Sequence, residues 1–175
     1  MGFLSYLISG VSLGSVYALI ALGYTMVYGI AKMLNFAHGD IIMVGSYVIF
    51  TATTMAGIPV PVAILASIII CTVLGVVIEG IAYRPLRGTS SLAVLITAIG
   101  VSYFLQNAVQ IIYGANAKSF KSVVPLKAVK LAGGELVISG ETIVTIISCV
   151  VIMVALNTFV NKTKTGHAML AVAED

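Results

Sequence analysis

The 175-residue sequence has no tryptophan, only two cysteines, two histidines and four prolines, and just 9% of its residues are charged. Each shortage removes a class of protein. Cys71 and Cys149 both lie inside apolar runs, where they are packing residues, and two cysteines make no disulfide framework or metal site. Nine Lys and Arg against six Asp and Glu leave a net charge of +3, spread over separate loops, so no nucleic-acid surface is expected. No G-x-x-x-x-G-K-[ST] loop is present to cradle a nucleotide phosphate. No HExxH and no pair of aspartates inside the apolar runs offers a constellation for an intramembrane enzyme, so neither a catalytic residue nor a metal or other cofactor is expected. Without tryptophan, interfacial anchoring falls to tyrosines such as Tyr6, Tyr83 and Tyr113.

What the sequence does have is hydrophobicity, at 60% of residues and a mean hydropathy of +1.15. A soluble domain is about 45–50% apolar and about 25% charged, so the chain reads as an all-α, polytopic transmembrane helical bundle. About five spans are expected within one domain: 6–30, 36–56, 62–83, 91–113 and 142–160. The first 31 residues carry no charge. With no basic segment ahead of it and too much length for a signal-peptide core, this run predicts a retained span. The run Gly57-Ile-Pro-Val-Pro61 separates the second and third spans, and Pro85 closes the third. Residues 115–141 hold four lysines, Glu135, Glu141, Pro125 and Gly133-Gly134 and form an extramembrane loop, with no apolar run long enough to span.

The polar residues concentrate in Lys32-Met-Leu-Asn-Phe-Ala-His-Gly-Asp40, between two uncharged runs. The run after it, Ile41 to Ala56, has sixteen residues, about 24 Å of helix against a hydrocarbon core of roughly 30 Å. A spanning helix must therefore start near Asn35 or Phe36, which draws His38 and Asp40 to the membrane boundary or inside it. Two readings stay open: an interfacial turn with Asp40 at a helix N-terminus, or the polar lining of a pathway. Further along, Tyr103, Gln106, Asn107 and Gln110 are spaced i, i+3, i+4, i+7 and share one helical face. Amides do not face lipid comfortably, so this stripe is expected to meet other helices or a wet path, interhelical bonding being the commoner use. Gly10, Gly14 and Ala18 recur every four residues, a spacing for close helix packing. The same Gly10-Val-Ser-Leu-Gly14 matches G-x-S-x-G by accident, since no triad partners accompany it. Glu79, shortly before Arg84 and Arg87, reads as an interfacial carboxylate paired with an arginine. Asn161-Lys-Thr163 matches a glycosylation sequon that nothing else supports.

Four stretches together resemble one family. Leu34-Asn-Phe-Ala-His-Gly-Asp40 with Met43-Val-Gly-Ser-Tyr47, Ile78-Glu-Gly-Ile-Ala-Tyr-Arg-Pro-Leu-Arg-Gly88, Leu95-Ile-Thr-Ala-Ile-Gly-Val-Ser102 and Lys164-Thr-Gly-His-Ala-Met-Leu-Ala-Val-Ala-Glu-Asp175 are similar, in order, to LivH-type permeases of branched-chain amino acid ABC transporters. The resemblance implies the N-terminal part of such a subunit, cut inside its ATPase-coupling loop. It implies an importer in a prokaryotic cytoplasmic (inner) membrane, partnered by a LivM-type second permease subunit, two cytoplasmic ATPase subunits and an extracytoplasmic amino-acid-binding protein. Asn35, His38, Asp40, Gln106, Asn107 and Gln110 become candidates for the translocation pathway, Gly166, Ala168 and Ala171 for ATPase coupling, and Gly10, Gly14 and Ala18 for helix packing. The family's coupling loops commonly carry basic residues where this chain has His167 and Leu170.

Five spans put Lys32, Arg84, Arg87, Lys162 and Lys164 on one side and four lysines on the other. The cations pressed against span ends favour a cytoplasmic C-terminal segment, as a coupling loop requires. Urea or short-chain amide permeases share similar signatures, and an ion-coupled secondary transporter using the Asp40 region is the alternative from another class.

Overall fold

The computed structural model describes residues 2–31, 35–86, 88–119, 122, 124, 128–131 and 136–174. Lys32, Arg87, Lys121, Pro125, Lys127, Gly133, Gly134, Glu135 and Asp175, all used above, lie outside them. Among the described residues the chain forms six α-helices and one small hairpin: α1 (Gly2–Ala31), α2 (His38–Phe50), α3 (Val60–Ile78), α4 (Ser91–Tyr113), β1 (Val129–Leu131), β2 (Leu136–Ile138), α5 (Gly140–Lys162) and α6 (Lys164–Glu174). Two compact units result, one of residues 33–121 and one of residues 1–32 with 122–175.

Four helical stretches among the described residues are long and apolar enough to cross a membrane: Phe3–Gly29, Val60–Leu86, Ser91–Tyr113 and Gly140–Lys162. Large apolar side chains along them, including Phe3, Leu65, Val76, Phe104, Ile111 and Val151, stand exposed. In water such surfaces would associate; against lipid chains they are in their own kind of solvent. The chain is a multi-pass membrane protein. Hydroxyls inside these helices bond back to their own carbonyls, as Ser15 does to Val11 and Thr72 to Ile68, which hides the polar atom from the hydrocarbon.

The second of the five expected spans is the exception. The Asn35 side-chain oxygen accepts the Ala37 N–H at 3.1 Å and the Asn35 carbonyl accepts the His38 N–H at 3.2 Å. That turn uses up the residues expected to begin the helix, so α2 starts at His38 rather than at Asn35 or Phe36. Its helical extent ends at Met55, reaching at most about 27 Å. It is not one of the four.

In the 33–121 unit, α2 and α3 each end in a π-helical turn, Thr51–Met55 and Glu79–Tyr83. The Ala56 N–H reaches back five residues to Thr51, and the Arg84 N–H to Glu79. Gly57, at φ +63°, then releases the chain into Pro59 and α3. Arg84–Leu86 adds a 3-10 turn around Pro85. Ser90 caps the start of α4 through the Ala93 N–H, and Gly114, at φ +81°, ends it. The core of this unit is Ala37, Ile78, Tyr83, Ala98 and Leu105, with Ile41, Leu74, Ala82 and Val101 packed against it.

In the other unit, α5 packs against α1 and α6 packs against both. Ser139 caps α5 through the Thr142 N–H, while Glu141 in its first turn and Lys162 in its last match the helix dipole. The antiparallel hairpin pairs Val129 with Ile138, and β2 lies against α1.

Candidate functional site

Three of the polar residues singled out in the sequence, Asn35, Asp40 and Gln106, converge at the start of α2. Asp40, in the first turn of α2, is only 7% exposed. Its Oδ1 accepts Gln106 Nε2 from α4 at 3.0 Å, and the same amide reaches Ser102 Oγ at 3.1 Å. The positive end of the helix dipole favours the carboxylate there, and the neutral amide of Gln106 is a side-chain partner. One turn earlier, Asn35 Oδ1 accepts a second bond, from the Tyr83 hydroxyl at 2.9 Å. Tyr83 is buried and is the last residue of the π turn that ends α3. The start of α2 is thus held by α3 through Asn35 and by α4 through Asp40.

The far end of α2 is held in the same manner. Thr51 Oγ1 donates to the Tyr47 carbonyl at 2.8 Å, so the Tyr113 hydroxyl, 2.7 Å away, donates to Thr51. The Tyr113 ring also lies over Tyr47, with centroids 4.4 Å apart. Thr51 is the first residue of the other π turn. Each of the two π turns therefore supplies one residue of a cross-helix hydroxyl bond, a placement that widened turns make possible by re-aiming side chains. Between these ends, Gly45 lets α2 seat on α3. A Cβ there would lie 2.9 Å from Cys71 Sγ and 3.0 Å from Ser67 Oγ. Ser67 instead donates to the Gly45 carbonyl at 3.0 Å, and Cys71 Sγ points to the Ile41 carbonyl at 3.5 Å.

Of the six pathway candidates, Asn35, Asp40 and Gln106 belong to this network. His38 is half-buried at the first residue of α2. Asn107 and Gln110 do not join them. They lie exposed on α4, Asn107 Nδ2 turning back to its own Tyr103 carbonyl at 2.7 Å. The α4 side chains bonded to or stacked on α2 and its π turn are Gln106 and Tyr113, so Gln106 is set apart from Asn107 and Gln110. Ser102, Gly45, Ser67 and Thr51 were not singled out, and Tyr113 was read only as an interfacial anchor. Their signal was faint, since small and hydroxyl residues inside apolar runs are common. Glu79 is half-buried at the start of its π turn, with Arg84 exposed beyond it.

In the other unit, Gly166 is buried at the corner between α5 and α6. A Cβ on it would overlap the carbonyl oxygens of Phe159 and Val160 and lie 2.6 Å from Val160 Cα. Thr163, the single residue between the helices, locks the corner: its Oγ1 donates to the Phe159 carbonyl at 2.7 Å and accepts the Gly166 N–H at 3.0 Å. His167 Nδ1 donates to the Thr163 carbonyl at 2.8 Å. Smallness at position 166 thus serves the chain's own backbone, whereas Ala168 and Ala171 are exposed on α6. Gly10, Gly14 and Ala18 are exposed on α1, and a Cβ at either glycine would meet nothing within 4 Å. Their face is uncovered among the described residues. The groove where α1 meets α5, about 480 Å³, is lined instead by Leu22, Met26, Met153, Val154, Leu156, Asn157 and Val160.

A polytopic helical bundle with its polar side chains gathered between helices is the architecture of a membrane permease. The family model described as the permease component of branched-chain amino acid transport systems matches residues 6–175, and the chain belongs to this family. It is 42% identical over 99% of its length to the high-affinity branched-chain amino acid transport system permease protein BraD of Pseudomonas aeruginosa. It is equally similar to the permease proteins LivH of Salmonella typhimurium and Escherichia coli. The chain spans about 60% of the length of these relatives. No solved structure matches it.

Proposed function

We propose that this chain belongs to a permease subunit of an ATP-driven importer for branched-chain amino acids in a prokaryotic inner membrane. What carries the reading is the 42% identity, over nearly the whole chain, to permeases named for that transport. The order of the polar motifs along the chain agrees with it. The subunit catalyses no reaction itself; ATP is hydrolysed on two cytoplasmic partners that seat against α6, where Ala168 and Ala171 offer a small-residue surface. A LivM-type subunit completes the pathway, and an extracytoplasmic binding protein delivers the amino acid. The C-terminal end of α5 and α6 face the cytoplasm, and Asn35, His38 and Asp40 mark the polar pathway at the start of α2.

Uptake of labelled leucine into proteoliposomes, with the full-length subunit and all partners present, tests this. Uptake should require ATP inside and withstand proton and sodium ionophores. Transport of urea or acetamide in place of leucine would move the substrate to that class. Ionophore-sensitive uptake without the ATPases would replace the reading by a secondary transporter.

A further inference from the structure

The exposed side of α4 changes character along its length. Leu92, Ile96 and Tyr103 follow one another up a single face, and all are exposed. Beyond Tyr103 the same face carries Asn107 and Gln110, also exposed. Gln110 is in the last turn of α4, where an interfacial amide is ordinary, but Asn107 lies a turn deeper, and amides in hydrocarbon are costly unless paired. Here the lower half of that face is apolar, and from Tyr103 to Gln110 it is polar over about 10 Å. Asn107 spends its amide on its own backbone rather than reaching outward. Gln106, one step round the helix, is committed to Asp40.

We infer that Tyr103, Asn107 and Gln110 line a water-filled vestibule through which the solute passes, open at the Gly114 end of α4, while Gln106 is a strut between α4 and α2. The inference rests on the transporter reading and gives that reading a surface. The Gly114 end is the extracytoplasmic one if the C-terminal segment is cytoplasmic, so the vestibule is where a delivered amino acid arrives. Its wall has an aromatic face for an apolar side chain and amides for the charged ends of a zwitterion.

The test is single cysteines at 104, 107, 110 and 111 in the full-length subunit, assembled with its partners, with Cys71 and Cys149 left in place and the parent as background. A membrane-impermeant methanethiosulfonate should label Asn107→Cys and Gln110→Cys at least about tenfold faster than Phe104→Cys and Ile111→Cys, which face lipid. Saturating leucine with its binding protein should slow that labelling. Equal rates at all four positions, or no labelling at 107 and 110, would overturn the inference and assign the face to lipid or a partner helix. Labelling that substrate never slows would overturn it too, as water off the path. Uptake by the parent is scored separately: a parent that imports leucine while 107 and 110 stay unlabelled defeats the vestibule alone, and a parent that imports nothing defeats the transporter reading.

Discussion

The two units handle small and polar residues in opposite ways. Within 33–121, a glycine on α2 is filled by its neighbour's side chains, and hydrogen bonds tie α2 to α3 and α4 at both ends. In the other unit, Gly10, Gly14 and Gly29 of α1 look onto empty space, and the tightly packed Gly166 is wedged against its own chain. The first unit has spent Gly45 on internal packing, while a Cβ at its Gly39, Gly75, Gly80 or Gly100 would meet nothing within 4 Å. The second still holds a packing surface in reserve, of the kind that lets helices approach closely in lipid.

Substitutions should separate these uses, the largest effect coming first. Gly166→Ala drives a methyl group into backbone that has no rotamer to yield, so it should cost about 3 kcal/mol or more. Limited proteolysis of the purified subunit should then show cleavage near Thr163, with coupled uptake lost. Gly45→Ala meets two side chains that can shift, and about 1–2 kcal/mol is expected in a denaturant titration. The matched change Gly14→Ala should cost nothing there, and in a helix the gained propensity favours it by up to about 1 kcal/mol. Equal losses at Gly14 and Gly45 would erase the contrast. A loss at Gly14 seen only when the partner subunits are present would show what the reserved surface is for.

Smaller effects probe the struts. Gln106→Leu leaves the Asp40 carboxylate buried without its amide, and a cycle with Asp40→Asn should give a coupling of about 0.6–1.7 kcal/mol, the range of interhelical hydrogen bonds in membranes. Tyr113→Phe should cost about 0.6 kcal/mol, and combined with Thr51→Val, which also removes the bond to the Tyr47 carbonyl, less than the sum of the two, since both break the same cross-helix bond. Asn107→Leu should be the mildest for stability yet impair uptake, the reverse of Leu105→Ala, whose buried side chain leaves a cavity costing about 2–5 kcal/mol.

Hydropathy made the four long helices and the membrane setting legible, because runs of apolar residues bounded by Gly and Pro leave few alternatives. The same reading overran at Asn35. Counting residues against membrane thickness demanded a longer helix, while a side-chain oxygen had already turned the chain. At the site, periodicity grouped Gln106 with Asn107 and Gln110, yet 3.6-residue spacing cannot say which edge of a stripe meets a neighbour. Gln106 lies nearest α2 and pairs with Asp40; the others point away. The π turns had no sequence signal at all, since an extra residue in a turn changes neither composition nor hydropathy. Gly166 was found for its size, but the reason, a carbonyl wall one turn earlier in the chain, exists only in three dimensions.

The corner at Thr163 has a mechanical consequence. With a single linking residue, bonded on both sides to the helices it joins, α5 and α6 have no slack between them. They act as the two arms of a bell crank. A push on the outer arm is delivered as tilt of the inner one, and no segment in between can absorb it by bending.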